Sequence, residues 1–244
     1  MGTVIAVTSG KGGTGKTSIT GGVAASLALM GHRVLCIDMD IGLRNLDITL
    51  GLSDRALMDF SDVALGRCPL ARGAVDHPDV KGLSLLTAPM SLSPSLTIDK
   101  VRAMLDTARG QYDYILIDSP AGLGAGFRLA ICGADRALVI ATNDASSLRD
   151  AQRTVCELES IRQVHLIMNR IQPKLLRKLR ATIDDAMNTA GLPLIGVVPE
   201  DDQVMLAANL GQPLTAQGRR GAALACWNIA LRLDGNQVPI MRIR

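Results

Sequence analysis

Two lysines set in a run of glycines give the first sign of chemistry in this chain. Gly10-Lys11-Gly12-Gly13-Thr14-Gly15-Lys16-Thr17 fits the pattern G-x-x-x-x-G-K-[ST]. Glycines let successive backbone N–H groups turn inward around phosphate oxygens, and a helix beginning where the loop ends adds its positive pole. Lys16 is placed to bridge β- and γ-phosphates, and the Thr17 hydroxyl to bind Mg²⁺. The loop therefore reads as a site for ATP with Mg²⁺, contacted by residues 10–17 and Ser18. A dinucleotide fingerprint fits worse, because it has no need of Lys16 followed by Thr17. Lys11 has two readings. It is a solvated surface lysine, or a second cation that neutralises the transferring phosphoryl group, across a dimer interface.

Carboxylates recur where such a site needs them. Asp38 and Asp40 follow the run RVLCID, and Asp118 ends YILID in the segment LIDSPAG. An acid at the Asp118 position reaches Mg²⁺ directly or through water; a helix cap or turn is the ordinary alternative. Asp40 is the candidate for orienting the attacking water and Asp38 for the outer shell of the metal, an assignment that spacing alone leaves open. The expected catalytic set is thus Lys11, Lys16 and Asp40, and the expected metal set Thr17, Asp38 and Asp118. Gly42, Gly122, Gly124 and Gly126 make the loops after these acids pliable, as a segment must be that changes shape when γ-phosphate leaves.

These groups must be held by a scaffold, and the chain supplies an alternation of strands and helices. Strands are expected at Thr3–Ser9, Arg33–Asp38, Leu83–Thr87, Tyr114–Asp118, Arg136–Ala141, Val164–Asn169 and Leu194–Val198. Helices are expected at Thr17–Met30, Ile98–Arg109 behind a Thr97 cap, Ser147–Ser160, Leu175–Ala190, Gln203–Asn209 and Arg219–Leu231. In Leu175–Ala190 the residues Leu175, Leu179, Ile183 and Met187 repeat every fourth position. Repeated βα units without a long linker predict a single doubly wound, mostly parallel α/β sheet with helices on both faces, over residues 1–235. Its ligand belongs at the carboxyl ends of the strands. Residues 236–244 form a short tail.

Composition agrees. Of 244 residues, 48% are hydrophobic but only 2% aromatic, so the core is aliphatic, as parallel strands covered on both faces require. The few aromatics offer no stacking platform for single-stranded nucleic acid, and a net charge of +3 is too mild to imply DNA or RNA binding. Five cysteines without a CxxC spacing, with Cys36 and Cys132 in apolar runs, read as thiols of a reducing cytoplasm. No apolar run approaches the ~20 residues that span a bilayer, and Val4–Ser9 leads into Gly10 and Lys11 instead of a cleavage site. Any membrane contact is expected to be peripheral.

With these residues in place, the chain resembles the deviant Walker A ATPases of the MinD/ParA group, a P-loop family, over nearly its whole length. GKGGTGKT, with Lys11, is similar to the family's KGGxGKT signature. Asp38–Asp47, DMDIGLRNLD, resembles the MinD form DxDIGLRNLD; partition relatives carry DxDPQGN there and flagellar-number regulators DxDLGLANVD. The resemblance implies that Lys11 reaches the partner's nucleotide in an ATP-sandwiched homodimer and that Asp40 positions the hydrolytic water. Asn169, with Pro199, Glu200 and Asp201, is similar to the family's adenine-binding elements, a turn-forming Asn169 being the plain alternative. It also implies a role in division-site selection at the inner, anionic face of the membrane, with a MinC-type inhibitor and a MinE-type activator as partners.

The chain departs from the family at three places. Gly124 stands where an acid is usual, Asn143-Asp144 where Thr/Asn-Pro is usual, and the tail Asn236–Arg244 has only five residues after Pro239, short for a stable helix. Ile240, Met241 and Ile243 with Arg242 and Arg244 still give that tail membrane character, which paired tails would strengthen. Trp227, Leu231 and Leu233 either extend its apolar surface or belong to the core. Lys174, Arg177, Lys178 and Arg180 are a solvated face, or the contact of a DNA- or flagellum-positioning ATPase, which is the alternative within the family. A metabolic or maturation enzyme and a non-hydrolysing scaffold are the readings outside it.

Overall fold

The structure, a computed structural model, describes residues 1–53, 55–241 and 243. In chain order the elements are β1 (Thr3–Thr8), α1 (Lys16–Leu29), β2 (Val34–Asp38), α2 (Asn45–Leu50), α3 (Phe60–Ala64), α4 (Leu70–Gly73), β3 (Val75–Asp76), β4 (Leu83–Leu86), α5 (Ile98–Arg109), β5 (Tyr114–Asp118), α6 (Ala125–Ile131), β6 (Arg136–Ala141), α7 (Ala145–Cys156), β7 (Gln163–Ile171), α8 (Pro173–Leu179), α9 (Ile183–Ala190), β8 (Leu194–Pro199), α10 (Asp202–Asn209) and α11 (Gly221–Leu233). The sheet runs β3-β4-β2-β5-β1-β6-β7-β8. Every pairing is parallel except that of β3 with β4. The doubly wound α/β expectation holds.

Side chains alternate across the strands. Ile5, Val7, Val34, Cys36, Leu116 and Leu138 pack under α1 and α11. Val4, Leu35, Ile37, Ile115 and Ile117 face α5 on the other side, and Val139, Leu166 and Met168 continue that side under α7 and α9. Helix α1 is buried along almost its whole length, so it carries no polar stripe. Its small residues allow close approach: a Cβ on Gly22 would lie 2.8 Å from Cys226 Sγ of α11.

Most expected elements appear, several with the expected ends, and Thr97 caps α5 by accepting from the Lys100 N–H. The helix expected over Leu175–Ala190 is instead two helices. Arg180 has a left-handed backbone at φ 49°, and Thr182 opens α9 in a capping box with Asp185. That reciprocal capping, two bonds to otherwise orphaned N–H groups, outweighs a continuous apolar repeat. Leu175 and Leu179 consequently point to solvent, while Ile183 and Met187 reach the core. Leu233 is core, not tail surface, and Trp227 lies under the Arg219 guanidinium at 3.4 Å in a cation–π contact. Cys36, Cys68 and Cys226 are buried thiols, Cys132 is half-buried and Cys156 exposed.

Candidate functional site

The first βα turn puts the phosphate loop at the carboxyl end of the sheet. Gly13 and Gly15 have φ of 77° and 92°, the left-handed values that glycine takes without strain. At Gly15 the need is steric as well, since a Cβ there would meet Asn169 Nδ2 at 2.3 Å. Gly10 is pressed under α7, where a Cβ would lie 2.4 Å from the Asp150 carbonyl oxygen. Thr14 is buried, and its hydroxyl has no protein partner. Lys16 is only 7% exposed; its ammonium donates to Ser9 Oγ at 3.2 Å. Burial pulls its pKa down, against the opposing pull of Asp118 and Asp40.

The acids gather around that lysine. Asp38 and Asp118 are register partners at the ends of β2 and β5, and both are buried. Burial pushes the Asp118 carboxyl up to about 7, although the Thr17 hydroxyl bonds to it and Lys16 attracts it. Thr20 Oγ1 also donates to its Oδ1 at 3.4 Å, whereas Oδ2 is buried without a partner. Burial likewise raises Asp38 to about 6. Both Asp38 oxygens accept from backbone, Oδ1 from the Asp40 N–H at 2.9 Å and Oδ2 from the Leu46 N–H at 3.2 Å, so Asp38 shapes the loop that carries Asp40. Asp40 is half-buried, raised by burial and lowered by Lys16. No cluster of three metal-ligating side chains occurs among the described residues. Two carboxylates and a hydroxyl still suit Mg²⁺, which keeps waters and phosphates in its shell, and the orphaned Asp118 oxygen fits that role.

The second lysine behaves differently. Lys11 is 44% exposed, and its ammonium donates to Ser146 Oγ at 2.7 Å and to Asp144 Oδ1 at 3.2 Å within the same chain. Asp144 also caps α7 by accepting from the Ser147 N–H at 2.9 Å, and it bonds the Ser146 and Thr142 hydroxyls. These bonds hold its carboxyl well below the usual range. The sequence marked Asp144 as unusual without linking it to Lys11; the spacing Asp144-x-x-Ser147 was the available signal for a cap.

A cavity of about 420 Å³ opens beside the loop, lined by Gly15, Ser18, Asn169, Pro199, Glu200 and Asp201 among others. The residues expected for the base thus converge, although their polar atoms are partly committed. Asn169 Nδ2 donates to the Thr14 carbonyl at 2.8 Å. Asp201 accepts from the Gln203 N–H at 3.0 Å and the Ala222 N–H at 2.8 Å, so it caps α10 and ties it to α11. Glu200 bonds Gln172.

Comparison with known proteins places the chain in a nucleotide-binding family. The profile of the CobQ/CobB/MinD/ParA nucleotide binding domain matches residues 5–214. The septum site-determining protein MinD of Synechocystis is 36% identical over 99% of this chain and 92% of its own length. The chain belongs to the MinD family. Within the family, the MinD subunit of the Aquifex aeolicus MinC:MinD cell division complex superposes with a TM-score of 0.91 at 37% identity, over 98% of both chains. MinD from Pyrococcus horikoshii, solved with Mg-ADP, gives 0.84 at 27% identity over 96% of both. A ParA family ATPase from Chlorobium tepidum, at 21% identity, shares the fold.

Two features that vary from the family pattern have defined surroundings. Gly124 precedes α6 in an extended conformation with open space around it, so this helix starts without a side-chain cap. Residues 236–241 of the tail lie along the body and not as a helix. Arg232 donates to the Val238 and Pro239 carbonyls at 3.0 and 2.6 Å. Met241 and Ile243 pack on the core, Ile240 is 40% exposed, and all three line an apolar cavity of about 500 Å³ with Leu176 and Met187. Arg242 and Arg244 lie outside the described residues. Lys174, Arg177, Lys178 and Arg180 are all exposed, on α8 and just after it. Among the described residues no helix is long and apolar enough to cross a membrane.

Proposed function

We propose that this chain is a division-site ATPase that binds Mg·ATP, closes into a homodimer around it, and hydrolyses it to ADP and phosphate to time its own release. The observation that carries this reading is the convergence of Lys16, Asp40 and the orphaned Asp118 oxygen at a loop turned by the left-handed Gly13 and Gly15. Bound Mg²⁺ would supply charge neutralisation at the β- and γ-phosphates, held by Thr17 and Asp118 with Asp38 behind them. Lys16 brings an ammonium already stripped of water, which strengthens its pull on phosphoryl oxygens. Asp40, raised by burial, accepts a hydrogen bond from the attacking water and orients it. Asn169 and the Pro199–Asp201 turn wall the cavity for the base.

Lys11 serves the partner's nucleotide in the dimer, after leaving Asp144. The tail turns Ile240, Met241 and Ile243 from the body to an anionic membrane surface, and the nucleotide-bound dimer presents itself to a MinC-type inhibitor. A MinE-type activator would act on the same dimer. Light scattering with Mg and a non-hydrolysable ATP analogue tests the core of this reading. The wild type should double its mass and Lys11→Ala should not; equal dimerisation of both would remove the crossing lysine. Sedimentation with anionic vesicles in ATP and in ADP tests the tail: retention only in ATP, lost on truncation before Val238, is expected.

A further inference from the structure

The amino-terminal ends of β5 to β8 carry a second concavity, far from the phosphate loop. It measures about 670 Å³ and is closed by the last turn of α11 and the residues after it. Arg136, Arg162 and Arg232 line it. Other arginines at this end of the sheet are neutralised, Arg33 by Asp113 at 2.8 Å and Arg109 by Asp135 at 2.6 Å. These three have no carboxylate partner among the described residues. The one carboxylate lining the cavity among the described residues, Asp234, is bonded through Oδ1 to His32 at 3.0 Å and to the Tyr114 hydroxyl at 2.9 Å.

The ordinary explanation is that Arg136 and Arg232 cap the negative end of α11. Arg136 does donate to the Leu233 carbonyl at 2.8 Å, and Arg232 to three carbonyls, including that of Ile195. A guanidinium has five N–H donors, so most of those on Arg136 and two on Arg232 remain. Arg162 has no hydrogen bond among the described residues, and the cap does not account for it. Nor does it account for His165, whose Nδ1 is buried without a partner in the same wall. Burial and the Arg136 charge hold that imidazole below its usual pKa, and burial lowers Arg232 with no acid opposing. Three guanidiniums thus meet one carboxylate here, and none of the three pairs with it among the described residues.

We propose that this cavity binds a phosphate group, borne by the glycerophosphate headgroup of an anionic lipid. Guanidinium forks match phosphate oxygens two at a time. The lipid source follows from position: Arg232 also holds the Val238 and Pro239 carbonyls, at the root of the segment that carries Ile240, Met241 and Ile243. A headgroup bound here sits beside the apolar side chains that would enter the same leaflet. That source rests on the membrane reading above; the phosphate site itself does not.

The test follows the imidazole resonances of the full chain, which has three histidines, with Mg·ADP filling the phosphate loop. Glycerol phosphate is titrated in. Binding should raise the His165 pKa by about half a unit or more, because a nearby anion favours imidazolium. Arg162→Gln should weaken binding roughly tenfold or more, the scale of one charge-assisted bond, with nucleotide affinity unchanged. Lys178→Gln, an exposed basic control on α8, should behave as wild type. No His165 response, or equal affinities for the two variants, overturns the site. Vesicles of phosphatidylcholine with and without phosphatidylglycerol, in ATP, then fix the source. Weaker retention of Arg162→Gln on the anionic vesicles alone supports the lipid; glycerol phosphate binding without any vesicle effect overturns it in favour of a soluble phosphate compound.

Discussion

Asp118 closes β5 and Asp135 precedes β6, at opposite ends of one sheet, and their carboxylates live in opposite circumstances. Asp118 is 1% exposed, with one oxygen unpartnered and its pKa pushed up to about 7. Asp135 is 44% exposed on its side chain, clasped by Arg109 at 2.6 and 3.0 Å, and accepts from the Val4 N–H at 2.8 Å. The first is charge that the fold buries without completing; the second is charge that the fold completes in order to hold a strand. An uncompensated buried charge is costly, so its persistence points to something that arrives later. Satisfied pairs describe architecture.

That difference predicts opposite responses to pH and mutation. The largest effect is expected for Asp118→Asn in the nucleotide-free chain. An unfolded Asp ionises near 3.9, the folded Asp118 near 7. Below the lower value both states are protonated and burial carries no charge. Between the two, the folded state binds the extra proton, so stability falls as pH rises, and above about 7 the loss is complete. The wild type should therefore lose on the order of 3 kcal/mol relative to Asp118→Asn between pH 4 and 8. Denaturant unfolding across that range measures it, and parallel curves would defeat the assignment. Asp38 contributes a slope of its own in both proteins, a gentler one in Asp118→Asn, where the neighbouring carboxylate charge that repels it is gone.

Lys16 comes next. Its buried ammonium faces both Asp118 and Asp40, so it serves as the cation for these acids and for any phosphate that enters. Lys16→Met should weaken nucleotide binding about 100-fold, or roughly 2.7 kcal/mol, by calorimetry with a non-hydrolysable analogue. A change under threefold would mean that the backbone amides alone hold the phosphates.

Local spacing made this end of the molecule readable. Gly10 to Thr17, the run ending at Asp118, and the helix behind Thr97 each declare themselves within a dozen residues, because strand period, loop glycines and caps are short-range chemistry. Other features were less legible. The short helices α2, α3, α4 and α6 are held by tertiary contacts more than by any periodic stripe of their own. The break at Arg180 was written in Thr182-x-x-Asp185 but masked by an apolar repeat running through it. The tie of Asp201 to the Ala222 N–H, and the meeting of Arg136, Arg162 and Arg232, depend on chain crossings that no local pattern encodes.

The completed end of the sheet should answer to mutation in stability alone. Asp135→Ala orphans the Val4 N–H, in the buried second residue of β1, and deprives Arg109 of its fork. A lost acceptor for a buried N–H costs ~1–3 kcal/mol, so a drop of about 2 kcal/mol is expected, with nucleotide affinity unchanged within about twofold. A loss of nucleotide binding at constant stability would show that the two ends are coupled and undo the contrast.

Lys11 gives the smallest effect and the finest test, since it belongs to the phosphate loop by sequence but is satisfied like an architectural residue. Its pair with Asp144 is exposed on both sides, which limits its worth to about 0.2–1 kcal/mol. Asp144→Ala would confuse the issue by removing the α7 cap. Asp144→Asn keeps a good cap and removes the charge that holds the lysine in its own chain, together with the second oxygen, which accepts from the Thr142 hydroxyl. Overall stability should then fall by no more than ~1 kcal/mol. If Lys11 must leave Asp144 to reach a partner, each protomer is relieved of that cost, and two lysines move per dimer. The nucleotide-dependent dimer of Asp144→Asn should be tighter by roughly two- to thirtyfold at low salt. The gain should shrink as ionic strength shortens the reach of the exposed pair. Sedimentation equilibrium in 50 mM and 500 mM salt reads both terms. A dimer constant that ignores both the charge at Asp144 and the salt would leave Lys11 a surface residue, and the exposed half of the loop would then belong with Asp135 instead of Asp118.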